Sequence, residues 1–445
     1  MRSYWIQIVP MNQPGMQMIV PKRLQKRKRK IKRVHHGLLS THVSVRRRKI
    51  RKGEDGSKKN PFAVHMSNEL LSYLYVQSSL LYQLVVTKKH VKLGPVTGIL
   101  VTDMKNVIND LRKESQSVVG GIFVALKPNQ IDWESTTVNG FVFDGEDNRW
   151  TDVKVPLPEV LFVRTPPLKR IRKLLTRFHQ QGGTAFNTKR YSKLKVEKRL
   201  RTESFVKGRL ITSRRVRTAE DVVETLENEQ AIVLKPTRGL KGQGLVFINR
   251  HKGDMFLVYD YRKRKTGLKM ELEKSALELF LQGVRYKRKK YILQPWIAFL
   301  QYKGNPFDMR VHMQKNHGAW ICSGIECRVA AQGEKLTNLS KGGGVVTFET
   351  AIRDTCSNVT REHVVDFALS LCDAVERAFP HDHFGDLGLD IGIDQSGKLY
   401  FIEVNFAPGY KGFKGIDPIA YEKISHQPFV YAAQLKGFDR EEERR

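Results

Sequence analysis

The stretch Gly388-Leu-Asp-Ile-Gly-Ile-Asp-Gln-Ser-Gly-Lys-Leu-Tyr-Phe-Ile-Glu-Val-Asn-Phe-Ala-Pro-Gly409 has the pattern of two strands joined by a turn. Leu389, Ile391 and Ile393 alternate with Asp390, Gly392 and Asp394. Gln395-Ser-Gly397 supplies the turn, and Leu399, Phe401 and Val404 mark a return strand. In that arrangement Asp390 can face Glu403 and Asn405. Carboxylate and amide oxygens on neighbouring strands suit Mg²⁺, a hard cation that keeps several waters and takes further ligands from nucleotide phosphates. The competing reading is structural: Asp394 and Asn405 can simply cap turns.

With 445 residues and 40% hydrophobic content, the chain is sized for two to four domains with real apolar cores, which excludes collagen-like and wholly disordered classes. Lys plus Arg outnumber Asp plus Glu by 78 to 45, a net charge of +33 that exceeds what one triphosphate site needs, so a second polyanion is expected. Cys322, Cys327, Cys356 and Cys372 form neither a CxxC pair nor a Cys/His metal spacing and read as reduced thiols. No window approaches the ~18 uninterrupted apolar residues of a membrane span. Met1 to Val20, with Pro10 and Pro14, lacks the compact apolar core of a secretory signal, so a cytoplasmic location is expected.

Taken from the N-terminus, residues 22 to 33 hold nine basic side chains in twelve positions, and Arg46-Arg-Arg-Lys-Ile-Arg-Lys52 follows. Between them Thr41, Val43 and Val45 alternate with His42 and Ser44. Residues 1–93 are therefore expected to form a small, basic, β-rich, barrel-like domain that includes the apolar run Leu70 to Val86. The basic residues either blunt strand edges or attract an anionic polymer or membrane. Nucleic acid is the weaker candidate, because no base-stacking motif accompanies the charge. From Gly94-Pro95 onward, strand Val96–Val101, helix Asp103–Glu114 and strand Ile122–Leu126 predict an α/β domain over 94–165, with Trp133, Phe141, Phe143 and Trp150 in a β-rich passage before Pro156–Arg164.

Residues 166–430 are expected to hold a third unit and 431–445 a charged tail. A basic helical stretch runs from Pro167 to Leu200, its second helix starting across Phe186 to Lys193. Ala231 to Ile248 reads as strand, glycine-rich turn, strand. Gly239, Gly242 and Gly244 permit the close backbone approach that lets N–H groups surround phosphate, and Lys235 offers a point charge. A plain hairpin turn is the alternative. An amphipathic helix near Glu271 to Gly283 and a strand Tyr291–Ile297 come next. Arg310 and Arg328 alternate with apolar residues on strands Phe307–His312 and Ser323–Val329, so both can point into one cleft beside Asn338, although each alone also reads as a salt-bridged arginine. Helix Arg361–Phe379 puts Val364, Ala368, Leu371, Val375 and Ala378 on one face. His35-His36 and His381-Asp-His383 read as surface or turn histidines.

The order of these features is specific as a set. A Lys-Pro strand with a glycine hairpin precedes Leu293-Gln-Pro-Trp-Ile297 and Asp308-Met-Arg310. Arg328 then precedes Thr337-Asn-Leu-Ser-Lys-Gly-Gly343, and Asp390 precedes Glu403-Val-Asn405 and Pro408-Gly409. The chain resembles an ATP-grasp enzyme over about residues 94 to 430. More narrowly it resembles the YheC/YheD family, described as endospore coat-associated, which shares Phe-Asn ahead of a helix, GxxCRVAxxG, TNLSxGG and GLDIGID…EVN. The resemblance implies an α/β (α+β) ATP-grasp fold preceded by an α/β pre-ATP-grasp domain and the basic N-terminal domain. It implies ATP and Mg²⁺ as cofactors, with Mn²⁺ as the alternative ion.

The same resemblance would put Lys235 on the α- and β-phosphates and Lys193 on the nucleotide, with the hairpin carrying Gly239, Gly242 and Gly244 closing over ATP. Gln294, Trp296 and Ile297 would line the adenine pocket, and Arg310 and Arg328 would hold the transferred phosphate as catalytic residues. Asp390, Glu403 and Asn405 would bind the metal, with Asn338 beside it. The implied reaction phosphorylates a carboxylate to an acylphosphate that an amine or thiol attacks. Basic neighbours such as Lys169, Arg170, Arg172 and Lys173 make an anionic or polymeric substrate the expectation. The alternative is a catalytically silent nucleotide-binding assembly protein of the spore coat, holding an anionic polymer or coat protein through residues 1–93.

Overall fold

Period-two burial in the first 94 residues builds a rolled sheet. Ile6, Ile8, Met18, Val20, Val34, Phe62, Val64, Leu84 and Val91 all turn inward. The computed structural model describes residues 3–24, 31–87, 89–104, 118–144, 149–237, 244–262, 266–284, 291–337, 342–353, 355 and 358–438. The predicted helix from Asp103 to Glu114 lies almost wholly outside them.

Eight strands make this first sheet, in the spatial order Leu39–His42, Arg33–His36, His90–Gly94, Leu81–Val86, Ser3–Met11, Phe62–Ser67, Gln17–Pro21, Ser44–Arg48. Its two outermost strands are separated in the chain by Val43 alone, so the edges must come together and the sheet curls toward a barrel. One expectation fails here: His36 is buried, its Nδ1–H donating to the Leu74 carbonyl at 2.7 Å, and burial pushes its pKa down to about 4.

The second sheet is centred on Val96–Leu100, with Ile122–Leu126 parallel on one side and Val160–Val163 then Thr184–Phe186 parallel on the other. Every residue of the strands at 96–100, 122–126 and 160–163 is buried, as a parallel sheet covered on both faces requires. Phe186 therefore belongs to a strand rather than to a helix start. Its ring stacks on Phe162 at 4.9 Å, and the helix opens at Lys193 instead.

A third, six-stranded antiparallel sheet has Ala231–Pro236 near its middle, flanked by Tyr291–Pro295 and Val246–Arg250. Ile232 and Leu234 turn to the face covered by helices Glu220–Asn228 and Lys274–Gln282. The latter helix starts at Lys274 because Leu268–Glu273 completes the sheet edge.

The fourth sheet runs Gly344–Thr347, Ala319–Val329, Asn305–Asn316, Asp386–Ile393, Leu399–Asn405, all antiparallel. Helix Arg361–Ala378, whose N-cap Thr360 Oγ1 accepts from the His363 N–H, covers its apolar face with Val364, Ala368, Leu371 and Val375. Of the residues expected in a charged tail, 431–434 complete the last helix Pro418–Gln434 and 435–438 form the turn after it. Phe429, Tyr431 and Ala432 pack on Ile99, Phe123 and Phe162 of the second sheet, and Phe438 is buried. Cys322, Cys327 and Cys372 are free thiols, while Cys356 lies outside the described residues.

Glu159 is buried at the start of a second-sheet strand, with Oε1 lacking any partner among the described residues. Burial pushes its carboxyl up to about 7, against the pull of Lys92 and Lys436. A folded pKa above the unfolded 4.5 means that folding favours the neutral acid, so this group lowers stability progressively from about pH 4.5 to about pH 7 and by a constant amount beyond. Glu159→Gln is expected to raise the melting temperature at pH 8, by up to about 3 kcal/mol of stability. The gain should nearly vanish at pH 5, which thermal melts at the two pH values would check.

Candidate nucleotide and metal site

The polar face of the fourth sheet follows from cross-strand register. Arg310 pairs with Asp390 on one side and Glu326 on the other, Asp308 pairs with Arg328, and Asp390 pairs with Glu403 across a bulge that falls between Asp390 and Ile391. Period two then puts Asp308, Arg310, Arg328, Asp390 and Glu403 on one face, opposite the helix-covered core.

Asp390 is the centre of that face. Arg310 grips it bidentately along one guanidinium edge, Nε on Oδ1 and Nη2 on Oδ2 at 2.9 Å, and Arg328 Nη2 reaches the same Oδ2 at 2.9 Å. Burial alone would raise the Asp390 pKa, but the two guanidinium groups outweigh it and hold the carboxyl well below the usual range. Arg328 also donates through Nε to Asp308 Oδ1 at 2.6 Å, and Thr337 Oγ1 donates to Asp308 Oδ2. The Asp308 pKa is raised by burial and by Asp390, despite Arg328. The sequence reading assigned Asp308 no role, although its period-two spacing from Arg310 was the available signal.

Asn405 Nδ2 lies 3.4 Å from Asp390 Oδ2 and 3.5 Å from Glu403 Oε1, and Lys193 forms an ion pair with Glu403 Oε2. Lys235 approaches from the third sheet on the same face as Val233, opposite Ile232 and Leu234. Burial and the charge of Lys193 push its ammonium down to about 8, while Glu403, Asp308 and Asp390 pull the other way.

That face of the third sheet is apolar around Lys235. Val233, Phe247, Tyr259 and Tyr261 form a cluster with Leu336, and Trp296 meets Phe247 edge-on at 4.8 Å. Gln294 lines the same cavity as Lys193 and Glu403. Its Nε2 donates to the Ile211 carbonyl at 2.9 Å and to Ser213 Oγ at 3.0 Å, so its side chain anchors the 211–213 segment. Ile297 is half-buried, its carbonyl accepting from the Phe299 N–H. Gly244, at φ 83, closes the base of the hairpin by donating to the Tyr261 carbonyl and accepting from the Tyr291 hydroxyl at 3.0 Å. Gly239, Gly242 and Asn338 lie outside the described residues.

Asn187 adds a feature that the Phe-Asn motif alone did not explain. Buried at φ 56, it accepts at Oδ1 from the Gly385 and Asp386 N–H groups and donates from Nδ2 to the Asp386 and Phe406 carbonyls. It thereby clasps both strands of the Asp390–Glu403 hairpin.

A family model for YheC/D-like ATP-grasp proteins matches residues 182–435. The chain belongs to that family. It is 26% identical over 333 residues to the endospore coat-associated protein YheD of Bacillus subtilis (strain 168), covering 71% of each chain. To the endospore coat-associated protein YheC of the same organism it is 23% identical over 314 residues, covering 68% of this chain and 85% of that one. Among solved structures it resembles N5-carboxyaminoimidazole synthetase from Staphylococcus aureus complexed with ADP, at 10% identity and a TM-score of 0.46, covering 76% of this chain and 77% of that one.

For this ATP-grasp chain the donor set fits a hard divalent cation. Among the described residues no three His, Cys, Asp or Glu are grouped to hold a metal by themselves. Two carboxylates and one amide on adjacent strands, with phosphate and water oxygens completing the shell, is the pattern that Mg²⁺ accepts, and Mn²⁺ shares it.

Arg328→Met would leave Asp308 and Asp390 as buried carboxylates short of a partner, and is expected to cost about 3–5 kcal/mol of stability in urea titrations. A phosphate against Lys235 favours its ammonium, so nucleotide binding should take up a proton above about pH 8, with affinity falling up to about tenfold per pH unit there. Lys235→Arg, charged throughout, should flatten that fall and Lys235→Ala should weaken binding at every pH, as nucleotide titrations from pH 7 to 9.5 would read.

Proposed function

We propose that this chain is a Mg–ATP-dependent ligase that activates a carboxylate as an acylphosphate for attack by an amine or thiol. The observation that carries the reading is the convergence of Arg310, Arg328 and Lys193 on the Asp390 and Glu403 carboxylates, within the field of Lys235 and beside the Asn405 amide. Four cations around three hard-oxygen donors suit a phosphoryl group in flight, whose charge spreads over its oxygens as the bond to ADP breaks.

Asp390, Glu403 and Asn405 would hold the metal, which supplies neutralisation of phosphate charge when bound. Lys235 and Lys193 would bind and orient the phosphates from opposite sides, and Arg310 and Arg328 would hold the transferred group. A substrate carboxylate oxygen then attacks the γ-phosphorus and ADP leaves. The amine or thiol next attacks the acyl carbon, phosphate departs, and the nucleophile's proton is lost to solvent. The Val233, Phe247 and Trp296 cluster would give the adenine an apolar wall, and the Trp296 ring rather than the Gln294 side chain would face the base.

The test is ADP release from Mg–ATP in the presence of pooled carboxylates with amines or thiols. Substrate-dependent ADP is expected, reduced by about a hundredfold or more in Glu403→Gln, the order of a lost transition-state electrostatic contact. No turnover with any pool, together with unchanged nucleotide binding in Glu403→Gln, would sink the reading.

A second reading, a silent nucleotide-binding assembly protein, draws on one observation. Residues 1–93 carry 21 Lys and Arg against three Asp and Glu, and Arg46 and Arg47 stand exposed on an edge strand. On that reading Arg46→Glu with Arg47→Glu abolishes retention on an anionic polymer and spares ATP binding. Retention by the double variant would count against it.

A further inference from the structure

The second sheet reverses its strand order beside Val96–Leu100. The chain places Ile122–Leu126 on one side of that strand and Val160–Val163 on the other. In open parallel sheets the crevice outside the carboxyl ends at such a reversal is where ligands bind. Here the strand at 160–163 delivers Arg164 and Thr165 to that crevice, with the Arg164 N–H on the Leu100 carbonyl at 2.9 Å. Arg190, from the segment after Thr184–Phe186, joins them through Nη2 on the Arg164 carbonyl at 2.7 Å.

All three side chains hold a shielded polar atom with no hydrogen-bond partner among the described residues: Arg164 Nη1, Thr165 Oγ1 and Arg190 Nε. Buried donors are normally satisfied, and orphaned ones clustered at one place call for a ligand. The charge balance agrees. Arg164 Nη1 faces Asp386 Oδ2 at 3.5 Å, but that carboxylate already accepts from Tyr410 Oη at 2.7 Å and Gln314 Nε2 at 3.0 Å. Arg164 is thus the guanidinium that meets this carboxylate, while Arg190 donates to the Arg164 backbone carbonyl. Burial and the charge of Arg164 lower the Arg190 pKa, as a second guanidinium close by requires. The Arg164 side chain remains 22% exposed, so the group is reachable from outside.

We propose that Arg164 and Arg190 form a binding site for a second oxyanion, a carboxylate or phosphate carried by the substrate at the end remote from the group being activated. Asp386, beside Arg164, and Asp390, beside Arg310, are four residues apart on one face of one strand, roughly 13 Å at about 3.3 Å per residue. The substrate so recognised carries two anionic groups about that far apart. Its assignment to the substrate rests on the ligase reading; the anion site itself does not.

The experiment is isothermal titration of the full chain with inorganic phosphate, succinate and singly charged acetate, with Mg–ADP present to occupy the nucleotide site. Saturable binding of phosphate or succinate is expected, weakened about tenfold in Arg190→Gln with ADP affinity unchanged. Arg190→Lys, which keeps the charge but not the planar fork, should fall between and stands in if the Gln variant does not fold. Phosphate alone binding would identify a phosphorylated ligand, succinate and acetate alone a carboxylate one, and all three an unselective oxyanion site. No saturable binding of either ion, or equal affinity in Arg190→Gln and Arg190→Lys, overturns the proposal. Anion binding that persists while no carboxylate pool releases ADP would remove the ligase reading and leave the anion site standing.

Discussion

One buried carboxylate held between two guanidinium groups organises the ATP-grasp half of this protein. Asp390 cannot be placed on the fourth sheet without Arg310 and Arg328, because an unpaired ion in that position costs several kcal/mol and both arginines spend their donors on it. The strand register that brings them together also sets Glu403 and Asn405 alongside. Each ion pair is thus both a structural tie and a poised electrostatic device. A divalent cation or a phosphoryl group arriving there exchanges partners within a network that is already charged, rather than creating charge in an apolar interior.

Much of this could be read from residue spacing. The Asp390–Glu403 hairpin was legible because alternation of apolar and polar residues has the same period as a pleated strand, and the Gln395-Ser-Gly397 turn fixes the length between them. The strand–glycine–strand unit around Lys235 and the helix Arg361–Ala378 were legible for similar local reasons. Contacts made only by tertiary folding were not. Gln294 carries a hinge-like context in the chain, yet its amide finds partners at Ile211 and Ser213, more than 80 residues away. His36 sits in a basic, polar stretch and is nonetheless enclosed, because the partner that satisfies it, the Leu74 carbonyl, lies 38 residues on. Residues 431–438 look like the start of a charged tail, but apolar surface left open on the second sheet captures them.

The N-terminal sheet shows how a strongly cationic segment can fold at all. Arg46, Arg47 and Arg48 lie on an outermost strand while Ile6, Val34, Phe62 and Leu84 fill the inside. That core is continuous with Val96, Leu126 and Leu161 of the second sheet, so charge repulsion on the outside is offset by apolar burial shared between the two units.

Asn187 has a mechanical consequence. Its four side-chain hydrogen bonds, together with Phe429, Tyr431 and Ala432 packed on Phe123 and Phe162, weld the fourth sheet to the second. The third sheet has its own core around Ile232, Val246 and Leu293, and its ties outward run through Tyr261 to Glu334 and through Gln294 to Ile211 and Ser213. Swinging the fourth sheet away from the second would break the clasp and expose an aromatic cluster, whereas tilting the third sheet leaves every one of those contacts intact. Lys235 is therefore carried on a sheet independent of that clasp, whereas Asp390 sits on the strand that Asn187 holds.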